Sequence, residues 1–119
     1  MTNKILGLDF VAVPSQDSDR SIKFYTETLG LRPDDKAKYE FWVGDTCFAI
    51  WEPEKIGMTF TAQKNAHISL NVENIKEARK ELEDKGIVFS GETIDNNGTC
   101  YMALFADPDG NDLMLHQRS

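Results

Sequence analysis

The chain has 119 residues, 40% of them hydrophobic and 28% charged, and its formal net charge is −7 at pH 7. That size fits one compact domain, and the negative charge argues against nucleic acid or an anionic membrane surface as a partner. With no signal-peptide pattern and no apolar run of roughly 20 residues that could span a bilayer, we expect a cytoplasmic protein. In that compartment the two cysteines, Cys47 and Cys100, should stay reduced.

The first half of the sequence predicts a strand, a helix and a pair of strands. Asp17 or Ser18 can cap the helix, and Gly30 can end it in a left-handed conformation. A polar connection follows over residues 53–65. The expected strands occupy residues 5–13, 38–44 and 46–52, the last two joined by a turn at Gly44-Asp45.

The second half repeats this order. Asn74 and Glu77 form a capping box at the start of a helix that Gly86 ends. A turn is expected at Asp107-Pro108-Asp109-Gly110. The expected strands occupy residues 66–72, 87–91, 99–106 and 112–117.

The spacing of these signals supports an internal repeat. Seven positions separate Phe10 from the capping Asp17, and seven separate His67 from the capping Asn74. A half-chain of this kind is too small to bury its own sheet face, so the two halves should pack together as one domain. We expect a single domain over residues 1–119, with a first module at about 1–56 and a second at about 64–119.

Three blocks of sequence carry a family resemblance. They are Phe10-Val11-Ala12-Val13 with Asp17, Arg20-Ser21, Phe24-Tyr25 and Leu29-Gly30-Leu31, then Ala66-His67-Ile68-Ser69-Leu70-Asn71-Val72, then Phe105-Ala106-Asp107-Pro108-Asp109-Gly110-Asn111. In this order they resemble the glyoxalase, bleomycin-resistance and extradiol-dioxygenase superfamily, also called vicinal oxygen chelate proteins. The resemblance implies an α+β fold in which two βαβββ modules form a curved mixed β-sheet cleft with helices outside, commonly in a homodimer.

The resemblance also implies where a metal would bind. Metal-dependent members take one ligand from each of four strands, at positions that fall here on Phe10, about Ile50, His67 and Met114. Only His67 suits a divalent ion, since Phe and Ile offer no lone pair and a thioether prefers soft ions. We therefore expect no metal cofactor.

A shifted metal site is the alternative. Because strand side chains alternate between faces, Glu52 should share a face with Ile50, and His116 with Met114. Glu52, His67 and His116 could then converge on one ion.

The same alternation predicts a cleft wall suited to a flat organic molecule, because it is apolar and aromatic with one imidazole. His67 is its candidate general base, although it could instead be a hydrogen-bonded histidine of the sheet, and the apolar wall residues could serve core packing. The predicted wall consists of Phe10, Trp42, Phe48, Ile50, His67, Tyr101 and Met114.

Three functions follow from these patterns. The first is binding of a small, aromatic or apolar organic molecule without a transition metal, as in proteins resembling the bleomycin-resistance branch. The second is a lyase, isomerase or metal-dependent enzyme that uses His67 with Glu52 and His116. The third is a structural or regulatory module with a collapsed cleft.

Overall fold

A computed structural model describes residues 4–119, so the first three residues of the expected first module lie outside the described range. A π-helical turn at Phe24–Thr28 extends the first helix, and a 3-10 turn at Pro53–Ile56 follows the fourth strand. No helix within residues 4–119 is long and apolar enough to cross a membrane. The elements are β1 (Val11–Pro14), α1 (Ser18–Lys23), β2 (Arg32–Pro33), β3 (Glu40–Val43), β4 (Thr46–Trp51), β5 (Ile68–Asn71), α2 (Ile75–Asp84), β6 (Ile94–Asp95), β7 (Cys100–Ala106) and β8 (Asp112–Arg118).

The strands form two four-stranded sheets of identical topology. Their orders are β1-β4-β3-β2 and β5-β8-β7-β6, and in each sheet the first pair is parallel while the others are antiparallel. Each sheet and its helix make one βαβββ module. This arrangement confirms the α+β fold of two modules and the internal repeat behind it.

Both helices begin at the residues that the sequence indicates. The side chain of Asp17 accepts a hydrogen bond from the Arg20 amide at 3.1 Å, and that of Asn74 accepts one from the Glu77 amide at 3.1 Å. Each bond satisfies an amide that would otherwise lack a partner in the first helical turn.

Two strand predictions were wrong. The first strand begins only at Val11, because residues 4–10 have no neighbouring strand in this chain. Residues 87–91 are irregular, and the strand at this sheet edge is β6. Phe89 is nevertheless buried, with its ring centroid 5.2 Å from that of Phe105. An apolar segment can fill the core from a loop, and hydropathy alone does not separate this case from a strand.

The core is continuous between the modules and centres on Tyr25, which is fully buried. Its ring centroid lies 4.8 Å from that of Phe48 and 5.2 Å from that of Phe24, the latter in an edge-to-face arrangement. Burial and the neighbouring Asp107 carboxylate raise the pKa of the Tyr25 phenol, so the hydroxyl keeps its proton and acts as a donor.

The turn between β7 and β8 joins the two modules. The Tyr25 hydroxyl donates to Asp107 Oδ2 at 2.6 Å. Asn111 Nδ2 donates to the same oxygen and to the Pro14 carbonyl, both at 2.8 Å. The turn of the second module therefore bonds directly to the first.

Asp109 adds a second set of bonds in the same turn. Its carboxylate accepts from the Ser15 hydroxyl at 2.7 Å, the Gln16 amide at 2.9 Å and Arg20 Nη2 at 3.0 Å. We call the contacts of Asp107, Asp109 and Asn111 with the first module the module joint.

Candidate functional site

The strand register divides the side chains of the first sheet between two faces. One face packs against the helix and the core. Ala12 and Glu40 both lie opposite Ala49, and Trp42 lies opposite Cys47, so these side chains share the other face. We call that face, with the preceding Phe10, the first open face. Its members are Phe10, Ala12, Glu40, Trp42, Cys47, Ala49 and Trp51.

The expected orientation of Phe48 and Ile50 was wrong. In the parallel pair β1–β4, Val11 lies opposite Phe48 and Val13 opposite Ile50, so both side chains turn toward the core. Phe48 is 1% exposed and Ile50 is 3% exposed. Ile50 still borders the cavity described below, at the end of its strand.

Trp42 lies on the first open face, as its position in the sequence indicates. Its indole N–H donates to Asp34 Oδ1 at 2.9 Å, and Asp34 Oδ2 accepts from the Ala37 amide at 2.8 Å and the Lys36 amide at 3.0 Å. These bonds, with that of Trp42 the largest cause, lower the pKa of Asp34 to about 2. Asp34 therefore fixes the loop before β3 and orients the Trp42 ring.

In the second sheet the register has the expected phase for Met114 and His116. Ser69 lies opposite Met114 and Asn71 opposite His116, while Leu113 and Leu115 are buried in the core. We call the face that carries Met114 and His116, together with His67 just before β5, the second open face. The role of Met114 as a ligand contact stays a prediction.

Tyr101 was expected in the cleft but lies on the helix side. It is opposite Gln117, whose neighbour His116 faces the other way. There it borders a separate cavity of about 580 Å³ at the start of α2.

The four family ligand positions do not fit a divalent metal. The pair Ser69–Met114 in the second sheet corresponds to Ala12–Ala49 in the first, so the position expected near Ile50 belongs to Ala49. With Phe10 and Met114 at two of the others, only His67 carries a nitrogen or oxygen donor, whereas a divalent site needs three or four.

The chain does not form the shifted site of Glu52, His67 and His116 either. Within residues 4–119, no group of three or more His, Cys, Asp or Glu side chains is arranged to hold a metal ion. Glu52 instead accepts from Lys55 Nζ at 3.1 Å, and hydrogen bonds from Ser18 and Lys55 lower its pKa.

His67 has a carboxylate as its polar neighbour. Its Nε2 lies 3.8 Å from Asp112 Oδ2, and the same oxygen accepts from the Asn65 amide at 2.7 Å. That amide bond is the main cause of the lowered pKa of Asp112, and Lys64 Nζ at 3.5 Å contributes. An imidazole beside a fixed carboxylate can be oriented for proton transfer.

The first open face carries a groove in two adjoining parts. The larger has a volume of about 520 Å³, the smaller about 250 Å³, and both are bordered by Tyr39, Ile50 and Trp51. We call it the Trp51 groove. Its lining is completed by Phe10, Ala12, Glu40 and Ala49 in the larger part and by Ser18, Glu52, Lys55 and Ile56 in the smaller part.

Sequence reasoning found Phe10 and Ile50 in this groove but missed Tyr39, Glu40, Ala49 and Trp51. Ala49 and Trp51 were lost through the same one-residue error in phase that misplaced Phe48. Neither part of the groove includes a residue of the second sheet. Among residues 4–119, His67 and Met114 therefore do not border the groove that Phe10 lines.

A model of the Glyoxalase/Bleomycin resistance protein/Dioxygenase superfamily matches residues 7–115. The chain belongs to this superfamily. Glyoxylase I 4 of Arabidopsis thaliana is 30% identical over 117 residues, which cover 89% of this chain and 67% of that protein.

Solved structures of other proteins share the fold. A protein from Bacillus anthracis that is assigned to the glyoxalase family superposes with a TM-score of 0.81 at 24% identity, over 100% of both chains. TnmS3, an antibiotic binding protein from a Streptomyces species, superposes with a TM-score of 0.73 at 21% identity, over 99% of this chain and 100% of that one.

Proposed function

We propose that this superfamily member binds a small aromatic or apolar organic molecule in the Trp51 groove, without a transition metal. The observation that carries the proposal is the groove itself, which presents the rings of Phe10, Tyr39 and Trp51 beside ligand positions that cannot hold a metal. Its larger part, about 520 Å³, is in the size range of small-molecule sites.

The superfamily relationship supports a binding role. TnmS3 shares the fold and is described as an antibiotic binding protein. The same architecture therefore occurs in a protein whose described role is to bind an organic compound.

We further propose that the binding unit is a homodimer. Ile5, Leu6 and Leu8 are 96%, 95% and 89% exposed, although they follow one another closely in sequence. Exposed apolar side chains grouped this closely indicate an interaction site. A second copy would cover it and bring its own second open face, with His67 and Met114, over the Trp51 groove.

Calorimetric titration with a panel of small aromatic compounds tests the binding role. We expect at least one saturable ligand, whose affinity falls about tenfold or more in Trp51→Ala because a large ring contact is lost. The matched control is Val88→Ala, which removes an exposed apolar side chain from the second module. Dialysis against a chelator should leave the affinity unchanged. Absence of binding across the panel, or binding that depends on added metal, would overturn the proposal.

Acid–base catalysis is the second candidate function. The observation that favours it is the Asp112 carboxylate 3.8 Å from His67 Nε2. A lyase or isomerase of this kind would lose its turnover in His67→Ala. Full activity in that variant would remove His67 from the mechanism.

A further inference from the structure

We infer that the Trp51 groove selects organic cations, such as alkylammonium groups attached to an apolar or aromatic body. The inference rests on the proposed function and names the ligand class for the same groove. It follows from the chemistry of the groove walls and from the balance of charge along them.

The walls offer aromatic surface to a ligand. Trp51 is 38% exposed and Phe10 is 55% exposed, and Tyr39 borders both parts of the groove. The faces of such rings attract cations, most strongly where water is excluded. The chain already contains one such contact, since Lys38 Nζ lies 5.5 Å from the centroid of the Tyr39 ring.

The groove also carries a carboxylate, that of Glu40. Glu40 borders the larger part and makes no ion pair with a residue of the described range 4–119. Its Oε1 accepts a weak hydrogen bond from Cys47 Sγ at 3.3 Å. A carboxylate beside aromatic rings is a favourable neighbour for an ammonium group.

The two lysines near the groove do not reverse this balance. Lys55 Nζ lies 3.1 Å from Glu52 Oε1, and Lys38 Nζ lies 3.7 Å from Asp19 Oδ1. Each lysine charge is thus paired, while that of Glu40 remains. An anionic ligand would lie near an uncompensated like charge, which disfavours its binding.

Three probes with the same aromatic body separate charge from shape. They are phenethylammonium, phenethyl alcohol and phenylacetate, titrated calorimetrically into the full chain at low ionic strength. We expect the cation to bind about tenfold more tightly than the alcohol, and phenylacetate to bind most weakly. Added salt should weaken binding of the cation and leave that of the alcohol unchanged.

Glu40→Gln tests the source of the preference. It removes the charge but keeps an oxygen that can accept from Cys47, so the fold should persist. We expect the affinity for the cation to fall to that for the alcohol, with the affinity for the alcohol unchanged. The alcohol thereby reports that the groove is intact. The matched control, Glu81→Gln on the exposed side of α2, should change neither affinity.

The outcomes distinguish this inference from the proposed function. If the alcohol binds as tightly as the cation, or phenylacetate binds most tightly, cation selectivity is overturned and the binding role stands. If Glu40→Gln keeps the full preference, Glu40 is not its source and the inference is again overturned. If no probe binds and the wider aromatic panel also fails, the proposed function falls and the inference falls with it.

Discussion

The phenolic hydroxyl of Tyr25 in the first module donates to Asp107 Oδ2 in the second module at 2.6 Å, across 82 positions of sequence. Tyr25 is fully buried and Asp107 is 5% exposed, so neither group can exchange its partner for water without opening the core. This bond is the most buried part of the module joint.

Tyr25→Phe should therefore destabilise the protein. The ring still fills the core, but a buried carboxylate oxygen keeps only the Asn111 amide as a donor. The loss of the phenol donor costs about 1–3 kcal/mol in the free energy of unfolding. Urea denaturation followed by circular dichroism measures the change. Tyr101→Phe is the control, because no hydrogen bond of the Tyr101 hydroxyl is present within residues 4–119. If Tyr25→Phe leaves the free energy of unfolding unchanged, the bond makes no net contribution to stability.

Substitutions of Asp109 and Arg20, which form an ion pair, should differ in how much they lower the free energy of unfolding. The Asp109 side chain is 0% exposed and accepts three hydrogen bonds, whereas that of Arg20 is 49% exposed. Asp109→Asn should cost about 1–3 kcal/mol. Arg20→Gln should cost less than about 1 kcal/mol, because the half-exposed guanidinium is screened by solvent. The same denaturation measurement compares them. An equal loss in both variants would mean that the ion pair, and not the Ser15 and Gln16 bonds, dominates.

Asp34 should give the protein a specific sensitivity to acid. Its pKa is lowered from 3.8 to about 2, so its contribution to stability is complete above pH 3.8 and is lost as the pH falls from 3.8 toward 2. Asp34→Asn should thus be less stable than the parent at neutral pH, with the difference shrinking across that window. Denaturation curves at several pH values test this. A difference that stays constant with pH would contradict the assignment.

Replacing the exposed apolar side chains near the start of the chain should disrupt the proposed homodimer. In Leu6→Asp with Leu8→Asp, burial of two carboxylates would oppose association. Analytical ultracentrifugation should detect a dimer for the parent chain and a monomer for this variant. Val88→Asp, an equally exposed position in the second module, should remain a dimer. A monomeric parent chain would contradict the homodimer.

A mixed dimer tests whether the cleft is shared between chains. If the cleft is shared, each binding site combines Trp51 of one chain with Met114 of the other. A dimer of one Trp51→Ala chain and one Met114→Ala chain then has one site with both substitutions and one site with neither. Half of the sites should then bind with the parent affinity. If the cleft belongs to one chain, no site in the mixed dimer recovers fully, and titration distinguishes the two stoichiometries.

Local signals in the sequence predicted much of the fold. The caps at Asp17 and Asn74 and the turn at Asp107–Gly110 depend on side chains that bond to nearby backbone, so short-range patterns suffice to find them. The repeat of these signals then identified the two modules.

The phase of β4 could not be predicted in the same way. Four consecutive residues, Cys47 to Ile50, are buried, so hydropathy does not alternate along the strand. Which of them face the groove depends on the parallel register with β1, a contact between distant segments. Tyr101 was misassigned for a related reason. Tyr101, Met102 and Leu104 are all half-buried, so hydropathy does not separate the two faces of β7 in this stretch.

The module joint and the larger part of the Trp51 groove lie on opposite faces of the first sheet. Tyr25 belongs to the core side, whereas Trp51 and Glu40 belong to the open side. Substitutions of side chains on the open side, such as Trp51 and Glu40, therefore leave in place the bonds that keep the two halves together. A protein built this way can change its ligand by a few point mutations while its folding stability stays nearly constant, which makes the groove a favourable starting point for directed evolution.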